Sequence, residues 1–109
     1  MHYFTEISPL IKEVELRQQP VIITVNEFTE ESVIKFNERM CHAQNSGQQV
    51  IPIEIDSFGG QAYSLMAMIS SIKSSRVPVA TIVHGKAMSC GAILASFGSE
   101  GLRFMDKDA

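Results

Sequence analysis

Apolar and polar positions along the chain alternate between strand-like and helix-like patterns. Val21-Ile22-Ile23-Thr24-Val25 follows Pro20 as a continuous, mostly β-branched run. Such a run predicts a strand buried on both faces. Behind Thr29, a good N-cap, Val33, Phe36, Met40 and Ala43 recur at helical spacing. Glu30 and Glu31 fall in the first turn, where the helix dipole favours negative charge, and Asn45-Ser46-Gly47 supplies the stop. Residues 49–56 predict a second strand carrying Val50, Ile51, Ile53 and Ile55, and Ser57-Phe58-Gly59-Gly60 predicts a sharp turn. Residues 63–72 predict a helix with Leu65, Met68, Ile69 and Ile72 on one face. A third strand over residues 77–83 is expected to end at Gly85. Residues 89–97 predict a small-residue helix, Gly98 and Gly101 frame a turn, and Leu102-Arg103-Phe104-Met105 begins a fourth strand. The first 19 residues are mixed and polar, with a short helix expected over residues 11–17.

Strands and helices therefore alternate from the first strand to the fourth. Short links through intervening helices dictate right-handed β-α-β units, hence an α/β fold with a largely parallel sheet. In such sheets, sites form at the carboxyl ends of strands, where loops enter helices. Gly59-Gly60 and Ser89 both fall at such ends.

Composition changes this picture little. A length of 109 residues suits one domain spanning residues 1–109, with 1–19 as an N-terminal segment and 20–109 as the core that carries the chemistry. A domain this small is only modestly stabilised alone, so a partner surface would help it. The net charge is −3 and Lys and Arg are scattered, which argues against a nucleic-acid partner. No apolar stretch approaches a membrane span of about 20 residues, and the first residues do not read as a secretory signal, so a cytoplasmic setting is expected. Cys41 and Cys90 sit in no metal-ligand or redox spacing and read as thiols in a reducing compartment. No metal or cofactor is expected.

The two turns carry the candidate chemistry. Adjacent glycines at Gly59-Gly60 allow positive φ and close approach of a substrate, and free amides opening a helix carry partial positive charge. Together they suit a developing oxyanion, where one donor is commonly worth about 3 kcal/mol of transition-state stabilisation. A tight turn with no ligand explains the same pair. Ser89 opens the next helix within Gly85-Lys86-Ala87-Met88-Ser89-Cys90-Gly91-Ala92. It reads either as a simple helix cap or as a nucleophile whose alkoxide feels the helix dipole, with the Cys90 amide as an oxyanion donor. The second reading follows the logic of a nucleophile elbow, although G-x-S-x-G is absent.

Three segments in order resemble the Clp protease proteolytic subunit family. Ile55-Asp56-Ser57-Phe58-Gly59-Gly60 is similar to its "I-N-S-P-G-G" element, and residues 85–92 to its "G-x-A-x-S-M-G-A" nucleophile segment. Gly98-Ser99-Glu100-Gly101-Leu102-Arg103-Phe104 is similar to its "G-x-x-G-x-R-x" stretch. The resemblance covers residues 21–109 and is tightest over 50–104. It implies a Clp/crotonase-like β-α superhelix, and serine endopeptidase chemistry on unfolded polypeptide. Ser89 matches the nucleophile, and the amides of Gly59 and Cys90, with Gly60 beside them, match the oxyanion hole. Family members stack as homo-oligomeric rings and accept substrate from an ATP-driven unfoldase.

The chain departs from the family at Asp56, Phe58 and Cys90, which stand where asparagine, proline and methionine are usual, and in Met105-Asp106-Lys107-Asp108. The family's histidine lies a short way downstream of the serine, beyond Ala109, and its aspartate lies further on. The resemblance thus implies a C-terminally truncated, partial domain that is inactive alone. Among candidate bases, His2 is terminal, His42 belongs to a solvated helix surface, and His84 ends the strand leading to Ser89. Because strand residues alternate faces, a His84–Ser89 dyad is a weak candidate. Lys86 is weaker still, and Asp56 is either an orienting carboxylate or a turn cap. Two other functions remain open: a non-catalytic module that oligomerises or joins peptidase rings, and a crotonase-type acyl-CoA enzyme using the same paired amides.

Overall fold

The structure, a computed structural model, describes residues 20–109; the helix expected over residues 11–17 lies outside them. Four strands, β1 (Ile23–Val25), β2 (Ile51–Ser57), β3 (Val79–Ala87) and β4 (Arg103–Met105), alternate with three helices, α1 (Glu30–Asn45), α2 (Ala62–Lys73) and α3 (Cys90–Ala95). The strands form one sheet in the order β1-β2-β3-β4, all pairs parallel. The architecture is the expected α/β one with a parallel sheet.

Local chemistry accounts for the elements. Thr29 caps α1 by accepting from the Ser32 amide at 3.1 Å, while the Ser32 hydroxyl accepts from the Thr29 amide at 2.8 Å. This reciprocal pair satisfies two amide donors that a helix start would otherwise leave open. Phe36, Met40 and Ala43 are buried along α1, and Leu65, Met68 and Ile72 along α2. Against them pack Ile23 and Val25 of β1, Ile51, Ile53 and Ile55 of β2, and Val79 of β3. Each fully buried side chain of this size contributes about 1.5–3 kcal/mol relative to exposure.

Sequential strand order with right-handed crossovers places all three helices on the same side of the sheet. That corrects the expectation for the first strand. Ile23 and Val25 face the helices and are buried, whereas Ile22 (44% exposed) and Thr24 lie on the other face and remain open. The β-branched run is therefore a strand buried on one face only.

Gly85 does not end the third strand, which continues to Ala87. Gly85 adopts φ +81°, and the pairing of β2 with β3 shifts register between Ile55 and Ser57 before resuming at Ser57–Ala87. A β-carbon at Gly85 would lie 2.9 Å from the Asp56 carboxylate, so the glycine admits that side chain across the irregularity.

Candidate active site

The carboxyl ends of β2 and β3 bring the two turns together. Ser89 follows β3 as the N-cap of α3, with φ 53° and ψ −117°. Among the described residues it is the one non-glycine with positive φ. Such a conformation costs on the order of 1–3 kcal/mol and persists only where its surroundings impose it. Ser89 is exposed, and its side chain makes no capping hydrogen bond. The strand-to-helix turn presents the hydroxyl outward rather than spending it on the helix.

Gly59 lies directly against this turn. Its φ is +116°, and a β-carbon there would fall 3.0 Å from the Ser89 β-carbon, 3.2 Å from the Met88 carbonyl oxygen and 3.5 Å from the Cys90 amide nitrogen. Only a glycine fits both the backbone angle and the space. The Cys90 amide takes no hydrogen-bond partner among the described residues. The Gly59 amide, by contrast, donates to the Ser57 hydroxyl at 3.0 Å. Of the oxyanion donors expected from the sequence, the Cys90 amide is thus open, while the Gly59 amide must exchange its serine partner for any other acceptor.

Ser57 does more than the motif suggested. Its carbonyl accepts from the Met88 amide at 3.0 Å, so one fully buried residue ties both turns. The Cys90 thiol donates to the Gly60 carbonyl at 3.5 Å, a second tie between them. Gly60 itself packs on Phe28, where a β-carbon would stand 2.7 Å from the Phe28 β-carbon. Gly91 admits the Ser57 carbonyl, 3.4 Å from where its β-carbon would be. The sequence signal for Ser57 was its place as the first residue of the Ser57-Phe58-Gly59-Gly60 turn, at an inward-facing strand position.

No described histidine reaches the serine. His84 Nδ1 contacts the Asp106 carboxylate, and Nε2 lies 3.4 Å from Glu54 Oε1. Hydrogen bonding to Asp106 raises its pKa above the ordinary 6.5, assisted by the charges of Asp106 and Glu54. Both ring nitrogens thus face carboxylates, Glu54 on β2 and Asp106 just after β4, rather than the Ser89 hydroxyl. His42 is exposed on α1. The Lys86 ammonium lies 2.8 Å from the Asp56 carboxylate and 4.4 Å from the centre of the Phe58 ring. The Lys86 hydrogen bond holds the Asp56 carboxyl below its usual range, and the ammonium is engaged by that carboxylate and the Phe58 ring.

A cleft of about 530 Å³ opens between β1 and α1, lined by Ile22, Asn26, Lys35 and Arg39 among others, and does not include Ser89. Among the described residues no helix is long and apolar enough to cross a membrane.

An α/β protein with a strained serine turn packed on a glycine turn at the carboxyl ends of adjacent parallel strands is the class this geometry defines. The family model for Clp protease matches residues 10–109, and the chain belongs to that family. It is 40% identical over 55 residues to the ATP-dependent Clp protease proteolytic subunit of Leuconostoc citreum, a match covering 50% of this chain and 28% of that protein. It is 36% identical over 56 residues to the protein of the same name from Deinococcus radiodurans, covering 51% of this chain and 28% of that one. The matched segments thus span less than a third of these relatives. The parallel α/β sheet is compatible with the Clp protease fold.

Proposed function

We propose that these residues form the nucleophile and oxyanion part of a Clp-type serine peptidase subunit. The observation that carries the reading is the contact of Gly59 with Ser89, with the Cys90 amide beside them. Ser89 Oγ attacks the scissile carbonyl. The developing oxyanion takes hydrogen bonds from the Cys90 amide and from the Gly59 amide, which leaves the Ser57 hydroxyl. The Gly60 amide lies next to them in the same turn. Such donors strengthen as charge develops and are commonly worth about 3 kcal/mol each.

The general base is supplied from outside the described residues, since His84, His42 and Lys86 are all committed elsewhere or solvated. Residues 20–109 alone are therefore expected to turn over little or no peptide. The substrate is unfolded polypeptide, the assembly a homo-oligomeric ring, the feeding partner an ATP-driven unfoldase and the setting cytoplasmic. The protease names of the relatives support this reading over an acyl-CoA enzyme or a purely structural module.

A chimera tests it. Residues 20–109 joined to the C-terminal part of a Clp proteolytic subunit should cleave a fluorogenic peptide, and its Ser89→Ala form should not. A folded, assembled chimera whose activity survives Ser89→Ala removes the nucleophile assignment.

A further inference from the structure

Outside the residues that would touch substrate, one cluster bears on the site. Asp56, Phe58 and Lys86 are joined where β2 and β3 lose regular pairing. The Lys86 ammonium donates to Asp56 Oδ1 at 2.8 Å and sits over the Phe58 ring at 4.4 Å from its centre. Phe58 is 73% exposed and so gains little from the core. It immediately precedes Gly59, whose amide and backbone angle set the oxyanion turn. Asp56 is held from behind: the Asn26 side-chain amide donates to its carbonyl at 3.0 Å, and its carboxylate fills the space that Gly85 leaves without a side chain.

We propose that Asp56 and Lys86 form a latch that holds the Phe58–Gly59 turn against the Ser89 segment, making Lys86 a positioning residue of the site. The latch joins the strand before the oxyanion turn to the strand before the nucleophile, so it resists their separation. Two adjacent glycines give this turn more backbone freedom than other residues would, and the latch adds to the restraint that Ser57 and Phe28 already place on it. An ammonium shared between a carboxylate and an aromatic face is an effective restraint, because each interaction orients the other. Its role in catalysis rests on the proposed function; its role in holding the turn does not.

Amide hydrogen exchange of the chain, read by NMR, tests the latch. Lys86→Met should raise exchange at Gly59 about tenfold, the scale expected when one ion pair and one cation–π interaction disappear together. Ile53 and Ile55 should keep their protection, and Lys86→Arg should restore Gly59. Asp56→Asn, which removes the ion pair but leaves Lys86 over Phe58, should give a smaller rise, and the double variant no more than Lys86→Met alone, as expected of one coupled unit. Lys86 and Asp56 are both part-exposed, with side chains 37% and 44% accessible, so neither change leaves a buried charge. Unchanged Gly59 exchange in Lys86→Met, or an equal rise throughout β2 and β3, overturns the latch.

Titration with a peptidyl boronate, a mimic of the tetrahedral oxyanion, separates the two ideas. Weaker boronate binding to Lys86→Met, restored by Lys86→Arg, supports the positioning role. Equal binding to wild type and Lys86→Met, with unchanged Gly59 exchange, removes the latch and leaves the nucleophile reading. No binding to wild type even with added imidazole as a diffusible base, with Gly59 exchange still dependent on Lys86, removes the nucleophile reading and leaves the latch.

Discussion

Gly59 and Ser89 touch through the space where a glycine has no side chain: a β-carbon on Gly59 would lie 3.0 Å from that of Ser89. Gly59→Ala should therefore suffer twice, from an L residue at φ +116° and from collision with the serine turn. A loss of stability of about 1–3 kcal/mol is expected from the backbone angle alone. Gly47→Ala provides the contrast, because Gly47 also has positive φ, +83°, but nothing lies within 4 Å of its missing β-carbon. Chemical denaturation should rank the two, with Gly59→Ala the more damaging. Equal losses would show that the packing on Ser89 does not constrain the turn.

His84 should act as a pH-dependent tie between the sheet and the segment after β4. Its pKa is raised by the hydrogen bond to Asp106, so the contribution to stability is fully present below about 6.5 and is lost as pH rises through the higher folded value. Glu54 and Asp106 are the carboxylates that face it. Stability should thus fall as pH rises from about 6.5 through the His84 midpoint, and His84→Gln should flatten that dependence. An NMR titration of the imidazole with a midpoint below 6.5 would contradict the pairing.

The Thr29–Ser32 capping pair should matter to α1 and not to the site. Thr29→Ala should cost about 1 kcal/mol, the usual value for losing an N-cap side chain. Thermal melting should register this as a drop of roughly 4–8 °C for a domain of this size. A change within experimental error would mean the helix start is held by packing alone.

How much of this was written in the sequence depends on the residue. Helix α1 was legible because Phe36, Met40 and Ala43 keep strict spacing between a capping threonine and a glycine stop. The juxtaposition of the turns was legible because alternating strands and helices put both at strand ends. The openness of Ile22 and Thr24 was not, since it follows from all helices lying on one side of the sheet, a property of topology rather than of a β-branched run. The passage of β3 through Gly85 was hidden because a glycine that breaks a strand and one that bulges it look alike. Only Asp56, a residue distant in sequence, distinguishes the two. The commitment of His84 to Asp106 and Glu54, and of the Gly59 amide to Ser57, likewise depends on contacts that no spacing encodes.

The buried tie that Ser57 makes between the turns should also carry a measurable cost. Ser57 is 1% exposed, and its hydroxyl and carbonyl serve Gly59 and Met88. Ser57→Ala leaves the carbonyl bond intact but frees the Gly59 amide. A stability loss of about 1 kcal/mol is expected from the lost hydrogen bond. Gly59 exchange should accelerate while Met88 stays protected. Loss of protection at both would show that the hydroxyl organises the whole turn rather than one amide.

Fluorophosphonate labelling bears most closely on Ser89 as a nucleophile that has oxyanion donors beside it and takes its base from elsewhere. Slow labelling of the 109-residue chain is expected, with acceleration by added imidazole as a diffusible base. Peptide mass spectrometry should map the adduct to Ser89, and Ser89→Ala should carry none. Rapid labelling of Ser89 without imidazole would contradict the missing base, and labelling that never reaches Ser89 would contradict the nucleophile itself.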